Sequence, residues 1–333
     1  MKKVTPLKGL HHVTAITSSS EKIYEFYTNI LGMRLVKKNV NQDDLTAYHL
    51  FFADDRGNPG TDMTFFKFKG IGKHIEGTNE ISRTSLRVPS DAAIDYWIKR
   101  FKHYGVSHSP AFELFGHKAI YFDDFDEQRY ALISDEKDNG VAGGEPWHKG
   151  PVPDEFAIYG LGPIFLRVAN YKMMKDALID VMQMENVDNV NDLHLFYMGE
   201  GGNGASVIVE ENRNLPQGRQ GYGAVHHVAF RIKDREELDQ WTEKFEDFGY
   251  PNSGFVERFY FKSLYVRVYP NILFELATDG PGFIDDEEDY ETLGEKLTLP
   301  PHLRHKRAFV ESQLAPFDTV RSNKIFKKEY FND

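Results

Sequence analysis

Residues Ala224–Thr242 read AVHHVAFRIKDREELDQWT, and residues Gly9–Tyr27 read GLHHVTAITSSSEKIYEFY. Each opens on a run that alternates or is rich in β-branched and aromatic residues, the pattern of a strand. Each places a His-His pair inside that run and then changes period. After the first, Leu238, Trp241, Phe245 and Phe248 recur at spacings of three, four and three, so they share one helix face. Asp234 suits the N-cap and Gly249 the C-terminal stop. Beyond that glycine, GFVERFYF (from Gly254), SLYVRVYP (from Ser263) and ILFELAT (from Ile272) read as three further strands. The unit is therefore strand, helix, three strands.

The same order recurs along the chain. Sliding the sequence by 144 residues brings Ile94, Trp97, Phe101 and Tyr104-Gly105 onto Leu238, Trp241, Phe245 and Phe248-Gly249. Leu86-Arg87 falls on Phe230-Arg231, Tyr121 on Tyr265 and Leu132 on Leu276. A shift of 145 brings YHLFFADDRGN (from Tyr48) onto LHLFYMGEGGN (from Leu193). Internal repetition decides the architecture. An α+β fold is expected, with four βαβββ modules at 8–68, 79–136, 158–210 and 223–280. They group as residues 7–140 and 154–282, joined by the Gly/Pro-rich stretch Gly143–Pro153. A C-terminal extension follows at 283–333, to cover a cup mouth or brace the two halves.

The chain has 333 residues, 41% hydrophobic and 27% charged, as in ordinary globular proteins. Its net charge of −11 argues against nucleic acid or an anionic membrane as the main partner. There is no cysteine, which excludes disulfides and thiolate ligands. The N-terminus lacks the apolar core of a secretory signal, and no run reaches the ~18 apolar residues of a membrane span. A cytoplasmic protein is expected, with a homo-oligomer left open.

With four βαβββ modules, LHHV (Leu10–Val13) and VHHVAF (Val225–Phe230) opening two of them and PNILFEL (Pro270–Leu276) closing the last, the chain resembles the vicinal oxygen chelate superfamily. That group includes glyoxalase I, bleomycin-resistance proteins and extradiol dioxygenases. YHLFFADDRGNPGT (Tyr48–Thr61) and FELATDGPGF (Phe274–Phe283) extend the likeness to its hydroquinone-type ring-cleaving branch. The resemblance implies two cup-like half-barrels, each closed by two modules.

Comparing equivalent positions narrows the site. In module four the candidate ligands are His227 and Glu275. The shift of 144 puts Arg83 and Ala131 in their places in module two. Module three offers Pro163 or Ala157, and module one offers His11-His12 but no carboxylate on its last strand. His12, His227 and Glu275 remain, the two-histidine, one-carboxylate set of non-haem Fe(II) oxygenases. They can meet only if module one shares its cup with module four. Strand neighbours point to opposite faces, so one histidine of each doublet enters the cup. The superfamily pattern, ligand directly before Val, selects His12 and His227. His11 and His226 are then expected to point away or to sit at the cup edge; parity alone favours a structural role for them, and the resemblance implies a catalytic one for both. It also implies that Arg258 and Tyr265 face the substrate. Leu114 stands where Arg258 does and Tyr121 where Tyr265 does, so the arginine is peculiar to module four. A salt bridge to Glu257 or the acidic tail is its alternative role.

Other features read as structural. A lone buried histidine is more often a core residue than a ligand. His49 and His194 coincide in the repeat, which suggests an inherited structural role. His302 and His305 read as tail or surface, and the run Asp285–Glu291 as a solvated loop without the order of a Ca2+ loop. The expected activity is an Fe(II)-dependent, extradiol-type ring-cleaving dioxygenase taking a hydroquinone or related aromatic diol and O2. Another divalent metal can replace the iron. The alternatives are a glyoxalase-like metal-dependent isomerase or thiol transferase, which would show two carboxylates, and a metal-free small-molecule binding protein of the bleomycin-resistance type.

Overall fold

The computed structural model describes residues 4–284 and 287–331. Module one comprises β1 (Leu10–Ile16), α1 (Ser20–Glu25), β2 (Arg34–Val40), β3 (Tyr48–Ala53) and β4 (Asp62–Lys67). Module two comprises β5 (Glu80–Val88), α2 (Asp91–Tyr104), β6 (Phe112–Leu114), β7 (His117–Asp123) and β8 (Arg129–Ser134). Module three comprises β9 (Gly160–Val168), α3 (Tyr171–Asp176), β10 (Glu185–Val190), β11 (Leu193–Tyr197) and β12 (Ser206–Glu211). Module four comprises β13 (Val225–Ile232), α4 (Arg235–Asp247), β14 (Val256–Glu257), β15 (Lys262–Tyr269) and β16 (Ile272–Thr278). Both α1 and α3 run on into a wider π-turn, at Phe26–Ile30 and Ala177–Val181.

The helices form where the period of 3.6 places them. Asp234 caps α4 by accepting from the Glu237 amide, and Gly249 ends it with φ +76°. Leu238, Trp241 and Phe245 are fully buried beneath it, as are Ile94, Trp97 and Phe101 beneath α2. Each such side chain contributes roughly 1.5–3 kcal/mol of apolar burial. This buried layer lies on the helix side of the sheets, leaving the other face of each sheet to line a cup.

Two eight-stranded sheets result. One has the order β14-β15-β16-β13-β1-β4-β3-β2, the other β10-β11-β12-β9-β5-β8-β7-β6. Module four thus joins module one through the antiparallel pair β1–β13, and module two joins module three through β5–β9. Each cup is built from both halves of the sequence, and the cup of modules one and four contains the N-terminal histidines. Among the described residues no helix is long and apolar enough to cross a membrane.

The C-terminal extension covers an edge of the first sheet. Leu297 bridges Lys38 on β2, and the Thr298 amide donates to the Lys38 carbonyl. Further on, Glu329 accepts from Arg100 and Tyr104 of α2. This overturns the expectation of a solvated acidic loop. Asp285 and Asp286 lie outside the described residues, but Glu288 is buried, with its carboxylate 3.1 Å from Lys37 Nζ and accepting from the Gly294 and Lys296 amides. Glu287 accepts from Arg307 at 2.7 Å. Charge in this run anchors the extension, because burying Lys37 requires an anion beside it. His302 and His305 are exposed, as expected.

A candidate metal centre in the cup of modules one and four

The junction of β1 and β13 is irregular at both histidine doublets. On β1, Leu10 and His12 face the successive residues Phe230 and Ala229, so His11 is an extra residue. On β13, His227 and Val225 face the successive residues Thr14 and Ala15, so His226 is extra. Bulges of this kind re-aim side chains. Their effect is to let both rings of a doublet meet: His11 Nδ1 lies 2.9 Å from His12 Nδ1, and His226 Nδ1 lies 2.8 Å from His227 Nδ1. Strict alternation would have separated them. The second cup keeps a bulge at the equivalent Ser82, where Ile81 and Arg83 face Leu166 and Phe165, but has no histidine there.

His12, His227 and Glu275 come together. His12 Nε2 is 3.3 Å from His227 Nε2 and 3.1 Å from Glu275 Oε2, and His227 Nε2 is 2.9 Å from the same oxygen. All three are buried. Among the described residues this is the one group of three or more such side chains that could hold a metal ion. Burial pushes the Glu275 carboxyl up, but His12 and His227 outweigh it and hold the group well below the usual carboxylate range. Ser263 donates to the other oxygen, Oε1.

Hydrogen bonding assigns the proton positions on the first doublet. His11 Nε2 lies 3.0 Å from the Thr278 carbonyl oxygen, which can only accept. Burial, with His12 beside it, lowers His11 to about 3, so it is neutral and carries its single proton on Nε2. Its Nδ1 must then accept from His12 Nδ1–H. When the His12 ring is neutral, that leaves a lone pair on Nε2, aimed at a carboxylate and a second imidazole. Lone pairs about 3 Å apart repel unless a cation lies among them. Cis ligands bonded to one metal at about 2.1 Å lie about 3 Å apart. The donor set therefore fits a divalent metal held on one face.

The remaining expected residues surround this cluster. His226 is neutral, lowered to about 3 by burial and His227. The Tyr265 ring stands edge-on to His227 at 5.9 Å, and Tyr265 pairs with Glu275 across β15–β16. Burial and Glu275 raise its hydroxyl, which stays protonated. Arg258 Nε donates to the Tyr265 hydroxyl at 3.2 Å and its NH2 group to Asp43 at 2.9 Å. Its charge partner is therefore Asp43 of the β2–β3 loop, not Glu257 or the acidic tail. Arg258, Tyr265, His12 and His227 line one cavity with Phe51, Phe66, Phe261 and Asn39. The cavity is small, about 40 Å3, against the roughly 150 Å3 that accepts benzene.

His49 lines that cavity too, which the repeat comparison had led us not to expect. His49 and His194 do not share a face. His49 faces Phe66 across the sheet while Leu193 faces Glu210, so the shift for this strand is 144 and Leu193 is the true counterpart. His194 stacks on Tyr171 of the helix layer at 3.8 Å. A slip of one residue had exchanged the faces. Ser263 was also missed, although it lies two residues before Tyr265 and so on its face.

The sequence pattern of the Glyoxalase/Bleomycin resistance protein/Dioxygenase superfamily matches residues 9–132 and 160–281. The chain belongs to this superfamily. Superfamily relatives extend the match over nearly the whole length. MhqA of Bacillus subtilis (strain 168), named as a candidate ring-cleaving dioxygenase, is 42% identical over 315 residues, covering 93% of this chain and 99% of that protein. The chlorohydroquinone/hydroquinone 1,2-dioxygenase of Sphingobium indicum is 29% identical over 303 residues, covering 89% and 92%. A crystal structure of a candidate dioxygenase from Bacillus subtilis superposes with a TM-score of 0.85 at 34% identity, over 94% of this chain and 98% of that one. Glyoxalase I of Zea mays, at 14% identity and a TM-score of 0.59 over 81% and 92%, shares the superfamily fold.

Proposed function

We propose that this protein is an Fe(II)-dependent ring-cleaving dioxygenase of the extradiol type, which opens a hydroquinone or related aromatic diol with O2. The convergence of His12 Nε2, His227 Nε2 and Glu275 Oε2 within about 3 Å of one another carries the reading. Two imidazoles and one carboxylate on one face suit non-haem Fe(II) and leave room for substrate and O2. The printed names of MhqA and of the hydroquinone dioxygenase support it.

Iron bound there would lower the pKa of a ring hydroxyl and bring O2 beside the ring. The chain's own residues do the rest. His11 takes the His12 Nδ1 proton in a hydrogen bond and passes the constraint to the Thr278 carbonyl, fixing the ring that holds the metal. His226, held against His227 by their 2.8 Å Nδ1 contact, is the candidate for exchanging a proton with the substrate. Tyr265 keeps its proton and offers a donor beside the cluster. A hydroquinone meets the metal through one hydroxyl only, so it needs further anchoring. Arg258, steadied by Tyr265 and Asp43, supplies a fixed guanidinium at the cavity wall. Phe51, Phe66 and Phe261 pack the ring and exclude water. A glyoxalase-like reaction would use a second carboxylate, whereas Glu275 stands alone in this cluster among the described residues.

The test is O2 uptake with hydroquinone by protein loaded anaerobically with Fe(II). Wild type should consume O2 and open the ring, and His12→Ala should lose both bound iron and uptake. An iron-loaded wild type that consumes no O2 with any aromatic diol overturns the reading.

A further inference from the structure

We propose that His49 receives the ring hydroxyl remote from the His12–His227–Glu275 cluster, and so makes the site select para-diols over rings that lack the second hydroxyl. This rests on the ring-cleaving reading above and deepens it. Sheet geometry sets the placement. His49 and Phe51 alternate onto the cup face of β3, and β3 is separated from β1 by β4. Two strand spacings are about 10 Å, so His49 stands at the far wall of the cavity that His12 opens. Its ring is clamped between Phe51 at 3.9 Å and Phe66 at 4.4 Å, which leaves it little freedom to turn.

The ring nitrogens have different neighbours. Nε2 lies 3.0 Å from Thr64 Oγ1, which lies 2.8 Å from Thr14 Oγ1. Among the described residues Nδ1 has no protein partner. His49 is half-buried and lines the cavity, so Nδ1 is free to hydrogen-bond a substrate hydroxyl there without giving up a protein partner. Burial, with His12 and His227 nearby, holds His49 well below the ordinary histidine range, so the ring is neutral. The threonine chain runs in either direction. When Thr64 donates to Nε2, Nδ1–H donates to the substrate; when Nε2–H donates to Thr64, Nδ1 accepts from it. One residue can thus follow the hydroxyl through either polarity.

The second cup supports the assignment. Leu193, Ile208 and Phe165 occupy the places of His49, Thr64 and Thr14: Ile208 pairs with Phe165 as Thr64 pairs with Thr14, and Phe165 faces Arg83 as Thr14 faces His227. There the three form part of an apolar cluster. The polar chain occurs in the cup that has the three converging ligands, and the cup without them has closed over the same positions with hydrocarbon. A role in packing alone would not require the difference.

The experiment measures equilibrium binding of hydroquinone and of 4-methylphenol, its near-isostere without the second hydroxyl, to anaerobic Fe(II)-loaded protein. Wild type should prefer hydroquinone by roughly tenfold, the scale of one well-made hydrogen bond to a buried partner. His49→Leu, the residue of the second cup, should bring the two ligands to within about twofold of each other with iron content unchanged, and His49→Asn should restore part of the preference. If His49→Leu does not fold, His49→Phe, which keeps a ring between Phe51 and Phe66, is read in its place. A full preference retained in an iron-loaded apolar variant overturns the proposal, as does a wild type with no preference. O2 uptake by wild type is scored separately, so the inference about His49 can fail while the dioxygenase reading stands.

Discussion

If His12, His227 and Glu275 hold a metal, as we propose, removing the His11 imidazole should weaken its binding without removing a ligand. His11 accepts from His12 and is itself anchored on Thr278, so its loss frees the His12 ring to turn and to change tautomer. His11→Phe keeps the ring contact with Phe261 and deletes the hydrogen bonds. Metal affinity should fall about 10- to 100-fold, as for other residues that orient metal-binding histidines, and chelator competition would measure it. An unchanged affinity would show that the doublet contact is idle. Asp124, remote from the cup, shows the same sensitivity to burial. Its carboxyl accepts from the Asp126 and Gln128 amides and the Tyr130 hydroxyl, yet burial raises it to about 7. Between the unfolded value of 3.8 and about 7, the folded chain keeps a proton that the unfolded chain gives up. Asp124 therefore stabilises the fold most at low pH, and its contribution declines as pH rises through that window. Asp124→Asn, which imitates the neutral acid, should flatten this part of the stability profile; thermal unfolding across about pH 4–8 would reveal it.

At the level of elements, each module depends on a helix packed on its sheet. Trp241 of α4 is fully buried and donates through Nε1 to the Thr5 carbonyl at 3.2 Å, pinning the strand that leads into the first doublet. Trp241→Ala should cost about 3–5 kcal/mol, seen as a lower urea midpoint with little change in slope. The helix was legible because its apolar positions repeat with the helical period and its ends carry an Asp and a Gly. The strand faces were less so. At His11 and His226 one extra residue suspends alternation, and in β3 against β11 a one-residue difference in alignment exchanged the cup face for the helix face. Neither event leaves a mark in composition or periodicity. Only strand pairing reveals it, since parity is defined by the partner strand.

The whole molecule is a duplicated chain whose cups do not follow its halves. His12 lies in the first half, and His227 and Glu275 in the second. If residues 7–140 and 154–282 are units of the chain, as we propose from the repeats, neither can assemble the cluster alone. Separately expressed N- and C-terminal halves should each bind little Fe(II), and coexpressed halves should copurify with iron; iron held by the C-terminal half alone would contradict this. The sequence by itself determined the modules, because apolar spacing of two and of 3.6 dictates strand and helix. It also narrowed the cluster to two histidine doublets and Glu275, because no other module offers equivalents, and the likeness to the superfamily picked His12 and His227 from the doublets. Tertiary structure alone decided the rest. Pairing of β1 with β13 brought those side chains within 3.3 Å, the two bulges brought the two rings of each doublet into contact, and the β2–β3 loop supplied Asp43 to Arg258. Those outcomes depend on register between strands more than two hundred residues apart, and register is set by the shared burial of two faces, which no single segment encodes.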